Sequence, residues 1–246
     1  MTYRHFGIAA VVLLGLTACS PKPSDESNSA SSAAAADAKG AGAGAVADGQ
    51  DATAALAKAG KDNLLDCTTP VDRNSTYKSL VARFKTDAQL GNIPGPEGAT
   101  AKGLILFDRL KSRHLDITFW DDAMEHVSEV SPGDGAVAWT GPQGIHVGSS
   151  LKYTQDINGK PFSISGFGWD YGGYAVDFNG GRLDKLPGGC KLMLRFDRDG
   201  ADMPDGISGD GVTLSSDDPR VQKFAPNVVE MSVGWALPPG VKPSGE

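Results

Sequence analysis

Histidine is scarce in this chain, with four in 246 residues. The three beyond the N-terminus, His114, His126 and His146, form no His-x-His or His-x-x-x-His pair, which argues against a zinc centre. No Gly-x-Ser-x-Gly elbow occurs, and no glycine-rich loop runs into the Lys-Ser/Thr that a phosphate loop needs. Positive charge is also short: 23 Lys and Arg face 30 Asp and Glu, a net charge of −7. Without clustered positive charge the chain is a poor candidate for nucleic acid. A long apolar run is missing as well. The one near the start, Ile8–Leu16, is too short to span a bilayer as a helix. Nothing in the composition calls for a cofactor.

That short run belongs to a secretory signal over residues 1–18, with Arg4 and His5 as its basic start. It ends in Leu16-Thr17-Ala18-Cys19, which resembles the bacterial lipobox. The resemblance implies cleavage before Cys19 and a diacylglycerol on its sulfur. Ser20, rather than an aspartate, follows the cysteine, which by the sorting rule of such lipoproteins implies a lipid-anchored outer-membrane protein, facing the periplasm. Several acyl chains on one terminus give a stable anchor. Removing residues 1–18 takes away Arg4 and no acidic residue, leaving 22 Lys and Arg against 30 Asp and Glu, a balance of −8. Residues 19–60 are mostly Ser, Ala, Gly and scattered charge, too poor in apolar area to offset ordering, and read as a tether with a frayed helical turn over Ala52–Ala59.

The folded part is expected over 61–240, with 241–246 as a tail. Ser75 reads as an N-cap before Tyr77, Leu80, Val81 and Phe84, one apolar helix face. Residues 91–98 read as a loop. A hairpin follows, Leu104–Phe107 with a second strand in which Leu115, Ile117 and Phe119 alternate with polar residues. The stretch from Asp121 to Gly135 reads as a loop, and Ala136–Trp139 and Ile145–Val147 as short strands. Leu151–Ile157 reads as a helix closed by Asn158-Gly159. Strands are expected over Pro161–Ser165, Gly166–Tyr171, Tyr174–Phe178 and Lys191–Phe196. Asp218-Pro219 starts a helix, and Val229, Met231, Val233 and Trp235 point inward from a last strand. The class is α+β: an antiparallel β-sheet with two or three short helices on one face. Ser75–Trp120 and Gly148–Phe178 offer a tandem helix-plus-strands repeat, a layout that resembles the β-lactamase inhibitor protein and small outer-membrane assembly lipoproteins.

Gly166–Gly173, Gly-Phe-Gly-Trp-Asp-Tyr-Gly-Gly, concentrates the chemistry. In an extended strand Phe167, Trp169 and Tyr171 share one face and Asp170 points the other way. That face serves either as core or as an exposed platform for a sugar or peptide with Asp170 as acceptor. Asp170 with Asp177 also suggests a hydrolytic carboxylate pair. Asp197, Asp199, Asp202, Asp205 and Asp210 crowd one loop and offer hard ligands for Ca²⁺, although Ala201 and Ser208 break the EF-hand spacing. Cys67 and Cys190 either form a disulfide, suited to an oxidising compartment, or are two buried thiols. The disulfide would contribute roughly 4–5 kcal/mol by chain entropy.

The words Thr76–Val81, Val147–Leu151, Asn158-Gly159-Lys160-Pro161-Phe162, Gly166–Gly173, Gly180-Gly181 and Ser216–Pro219 come in an order that resembles a family of bacterial exported proteins and lipoproteins to which no activity is attached. The run from Asn158 through Gly173 is too long to recur by chance. The resemblance implies a shared fold, with Asp197–Gly211 as an insertion. The functional expectation is a non-catalytic envelope module that binds a protein or glycan partner around Phe167, Trp169, Asp170 and Tyr171. A hydrolase using Asp170 and a calcium-binding structural domain are the alternatives.

Overall fold

A computed structural model of the chain describes residues 63–95 and 98–245. The signal segment, the lipidation residue Cys19, the tether and the helical turn over Ala52–Ala59 lie outside the described residues. Among the described residues, nine strands form two antiparallel sheets. The larger has six strands in the order β1-β2-β3-β4-β9-β7, and the smaller three in the order β6-β5-β8. In chain order these are β1 Ala88–Pro94, β2 Thr100–Leu106, β3 Leu115–Phe119, β4 Val127–Pro132, β5 Ser163–Ser165, β6 Ala175–Asp177, β7 Lys191–Asp197, β8 Thr213–Ser215 and β9 Asn227–Gly234. Among the described residues three short α-helices join them: α1 Tyr77–Phe84, α2 Leu151–Asn158 and α3 Pro219–Phe224. The mixture is α+β and mostly sheet. No helix among the described residues is long and apolar enough to cross a membrane.

The helix ends follow side-chain chemistry. Thr76, not Ser75, caps α1. Its hydroxyl accepts from the Ser79 amide at 3.1 Å, and the Ser79 hydroxyl accepts from the Thr76 amide at 2.9 Å. The Ser75 hydroxyl is already engaged with Asp72. Ser150 caps α2, and Gly159 closes it at φ 84°, in the left-handed region. Asp218 caps α3 with Pro219 in its first turn. Its carboxyl is held down to about 2, chiefly by hydrogen bonds from the Arg220 side chain and backbone.

Alternation sets the strands of the large sheet. Leu115, Ile117 and Phe119 of β3, Leu104 and Leu106 of β2, and Leu192, Leu194 and Phe196 of β7 are all buried. Between the two sheets the core is aromatic: Phe162 lies 5.7 Å from Phe196 and 5.5 Å from Phe178, ring centre to ring centre. The two segments that suggest a repeat both begin with a helix. The first sends three strands to the large sheet and the second sends two to the small one.

Several elements differ from the expectation. The expected loop over 91–98 is strand as far as Pro94, tolerated because β1 is an edge strand and needs no second partner for its missing N–H. Asp121–Gly135 contains β4. The register of β4 against β3 shifts between Thr118 and Phe119, and this bulge hides the alternation. Residues 136–147 hold turns and a 3-10 turn at Pro142–Gly144 in place of two short strands. In β9 the register shifts opposite Arg195 and Phe196, so Val228 turns inward and Val229 is exposed. Cys67 and Cys190 are joined as a disulfide, with Cα atoms 5.2 Å apart and a sequence separation of 123. It fastens the segment that buries Leu65 and Val71 to the start of β7.

Candidate functional site

The Gly166–Gly173 stretch is a folded turn between β5 and β6, not a strand, and the glycines are the cause. Gly168 and Gly173 have φ of 77° and 80°, a region that L side chains rarely adopt. A methyl group on Gly166 would lie 2.5 Å from the Gly209 carbonyl oxygen, and one on Gly172 would lie 2.6 Å from that of Gly166. At Gly173 it would fall on the Phe196 carbonyl. The turn is also laced to the acidic loop: the Phe167 amide donates to the Ile207 carbonyl at 2.8 Å, and the Gly209 amide donates to the Phe167 carbonyl at 3.0 Å.

This geometry separates the three aromatics that a strand would have aligned. Phe167 is core, 1% exposed, with its ring centre 5.1 Å from that of Phe224. Trp169 is half-buried, and its indole N–H donates to the Gly166 carbonyl at 2.9 Å. It meets Tyr171 edge to face at 5.5 Å. Tyr171 is 43% exposed, and Asp170 beside it is exposed. Only Asp170 and Tyr171 reach the large groove described below. Phe167 and Trp169 line a cleft of about 280 Å³ behind it, with Arg195 and Asp197 opposite. Asp177 lines neither hollow; its carboxylate accepts from the Asn179 amide at 2.6 Å.

Asp199, Asp202, Asp205 and Asp210 are exposed around the acidic loop and Asp197 is half-buried at the end of β7. Among the described residues, no group of three His, Cys, Asp or Glu is placed to hold a metal ion. The loop's apolar members do the packing: Ile207 is fully buried, and Met203 lies against Gly168.

A larger hollow among the described residues lies on the outer face of the large sheet. There a groove of about 1330 Å³ reaches from Ile93 of β1 to Met193 and Arg195 of β7. Its floor carries hydroxyls: Thr118, Ser128, Ser131 and Ser232, with the Thr118 and Ser128 side chains 2.7 Å apart. Trp120 and Trp235 stand at one end, and the Trp120 indole donates to the Trp235 carbonyl at 3.0 Å. Tyr171 and Tyr174 stand at another part of the rim.

Arg195 links the turn to this face. Its Nε donates to the Gly172 carbonyl at 3.0 Å, and an Nη pairs with Glu230 at 2.6 Å. The guanidinium also lies over the Tyr174 ring, 5.6 Å from its centre. The Tyr174 hydroxyl donates to the other Glu230 oxygen at 2.9 Å. Burial, then this bond and the negative charge of Glu230, push the phenol up to about 12. Burial works against the Arg195 charge, but Glu230 outweighs it and its pKa is raised. Tyr174, Met193, Arg195 and Glu230 are site residues that the motif alone did not single out. For Met193 and Arg195 the signal is the second face of β7, the positions that alternate with Leu192, Leu194 and Phe196; Tyr174 and Glu230 lie on other segments and carry no such signal.

Fold and site together define an α+β domain with an aromatic-rimmed groove across one sheet face. Comparison of the chain with family models, curated proteins and solved structures returns no match.

Proposed function

We propose that this is a lipid-anchored protein of the bacterial outer membrane whose domain binds an envelope partner, protein or glycan, without chemistry of its own. The binding surface is the groove on the outer face of the large sheet. Asp170 and Tyr171 contribute at its rim, Trp169 braces Tyr171, and Phe167 is scaffold.

One observation carries the reading. A sheet face that only meets water is commonly paved with charge. This one carries Met193, Tyr174, Tyr171, Trp120 and an exposed Val229 around a hydroxyl floor. Aromatic side chains with one polar end, set around a concave apolar surface, suit a ligand with both characters.

The test is a cross-linking capture from cell envelopes with the mature protein and with Met193→Glu and Tyr171→Ala variants, each first shown by calorimetry to be folded. The proposal expects one partner that the wild type captures and both variants lose. Equal capture by all three proteins would overturn it.

A further inference from the structure

The charged groups around the groove are not balanced. Arg195 and Glu230 pair with each other, and the Arg195 guanidinium is further committed to the Gly172 carbonyl and the Tyr174 ring. Set aside that pair, and among the described residues the lining holds Glu129, Asp134 and Asp170 against Lys191. Glu129 stands on β4 opposite Gly234, where the facing residue has no side chain to cover it, and Gly234 in turn faces Lys191 on β7. Burial first, then Glu230, hold the Tyr174 phenol above its ordinary value, and the charge of Glu129 acts in the same direction. Tyr171 and Tyr174 add π faces on the rim, surfaces that attract ammonium and guanidinium groups.

The groove's length fits an extended chain. It crosses all six strands, and at about 4.8 Å between strands that is roughly 24 Å. An extended peptide covers this distance in about seven or eight residues. A neutral sugar would use the hydroxyl floor and the aromatics but would leave the carboxylates without counter-charge.

We propose that the groove takes an extended polypeptide segment carrying lysine or arginine, whose cations meet Glu129 and Asp170 while its apolar side chains lie on Met193 and Tyr171. This rests on the reading that the sheet face is the binding surface.

The test uses the mature chain and three probes: a peptide of about eight residues alternating lysine and leucine, the same peptide with glutamate for lysine, and a neutral chito-oligosaccharide. Binding is read by fluorescence anisotropy, and its place by the NMR shift of the Met193 methyl group. The lysine peptide is expected to bind and to move the Met193 signal. Its affinity should fall as salt rises from about 0.05 to about 0.3 M, because partly exposed charges are screened. Glu129→Gln should weaken it about fivefold, the size of one partly exposed ion pair, and Asp184→Asn, an exposed carboxylate away from the groove, should not. Equal binding of the glutamate peptide, or equal losses from Glu129→Gln and Asp184→Asn, would overturn the proposal. If the oligosaccharide moves Met193 and the lysine peptide does not, the proposal fails and the sheet face stands as the binding surface. If no probe moves Met193 the proposal fails too, and capture with the Met193→Glu variant then decides the reading beneath it.

Discussion

Replacing Phe167 by alanine should cost far more stability than replacing Tyr171, although the two lie four residues apart in one motif. Phe167 is 1% exposed, packs edge to face on Phe224, and supports the close backbone crossing at Gly173. A buried aromatic removes about 150–250 Å² from water, which at about 25 cal/mol per Å² is roughly 4–6 kcal/mol before any compaction of the unfolded chain is counted. Truncations of buried phenylalanine cost about 3–5 kcal/mol, and Phe167→Ala should fall in that range. Tyr171 is 43% exposed, so Tyr171→Ala should cost about 1 kcal/mol or less. Urea unfolding of the oxidised mature protein, followed by near-ultraviolet circular dichroism, gives both values, provided the slope m is unchanged. A loss below about 1 kcal/mol for Phe167→Ala, or equal losses for the two variants, would refute the separation of scaffold from rim.

Gly173→Ala combines a φ of 80° with a methyl group on the Phe196 carbonyl, so it should destabilise the domain by at least about 1–3 kcal/mol, read as a lower urea midpoint. Replacing Cys67 and Cys190 together by serine opens a link across 123 residues, and the chain-entropy estimate is a loss of about 5 kcal/mol, measured by the same unfolding curve. The Tyr174 phenol is raised from 10.0 to about 12, so the folded state keeps a proton that the unfolded state loses. Its contribution to stability is complete below pH 10 and is lost as pH rises from 10 toward 12. Ultraviolet titration of tyrosinate should show Tyr174 ionising late, and Glu230→Gln should bring it to lower pH.

Much of the framework was legible because it rests on local chemistry. Leu192, Leu194 and Phe196 alternate as a half-buried strand must, and Asn158-Gly159 and Asp218-Pro219 mark real helix ends. What failed depended on partners distant in sequence. The bulges at Ser128 in β4 and at Val229 in β9 put one residue too many in the alternation, which hides β4 and turns Val229 outward. In Gly166–Gly173 the aromatics carry a strand period, but the four glycines among them take the conformations of a turn. Those conformations are imposed by the backbones of Gly209 and Phe196, about 40 and 20 residues away in sequence, which no local pattern reveals. The candidate site was half visible for the same reason. Asp170 and Tyr171 stand in the motif, whereas Arg195 and Glu230 become neighbours only when β7 and β9 pair, and Tyr174 joins them through a bridge to Arg195.

The central claim is that the outer face of the large sheet is the surface that meets a partner. Photo-cross-linking in intact cells tests it most directly, with a photoreactive residue placed at Met193 in the groove or at Lys223, exposed on α3 and outside the groove lining. The account predicts a discrete adduct from position 193 and none from 223. Adducts of equal yield from both positions, or from 223 alone, would contradict it.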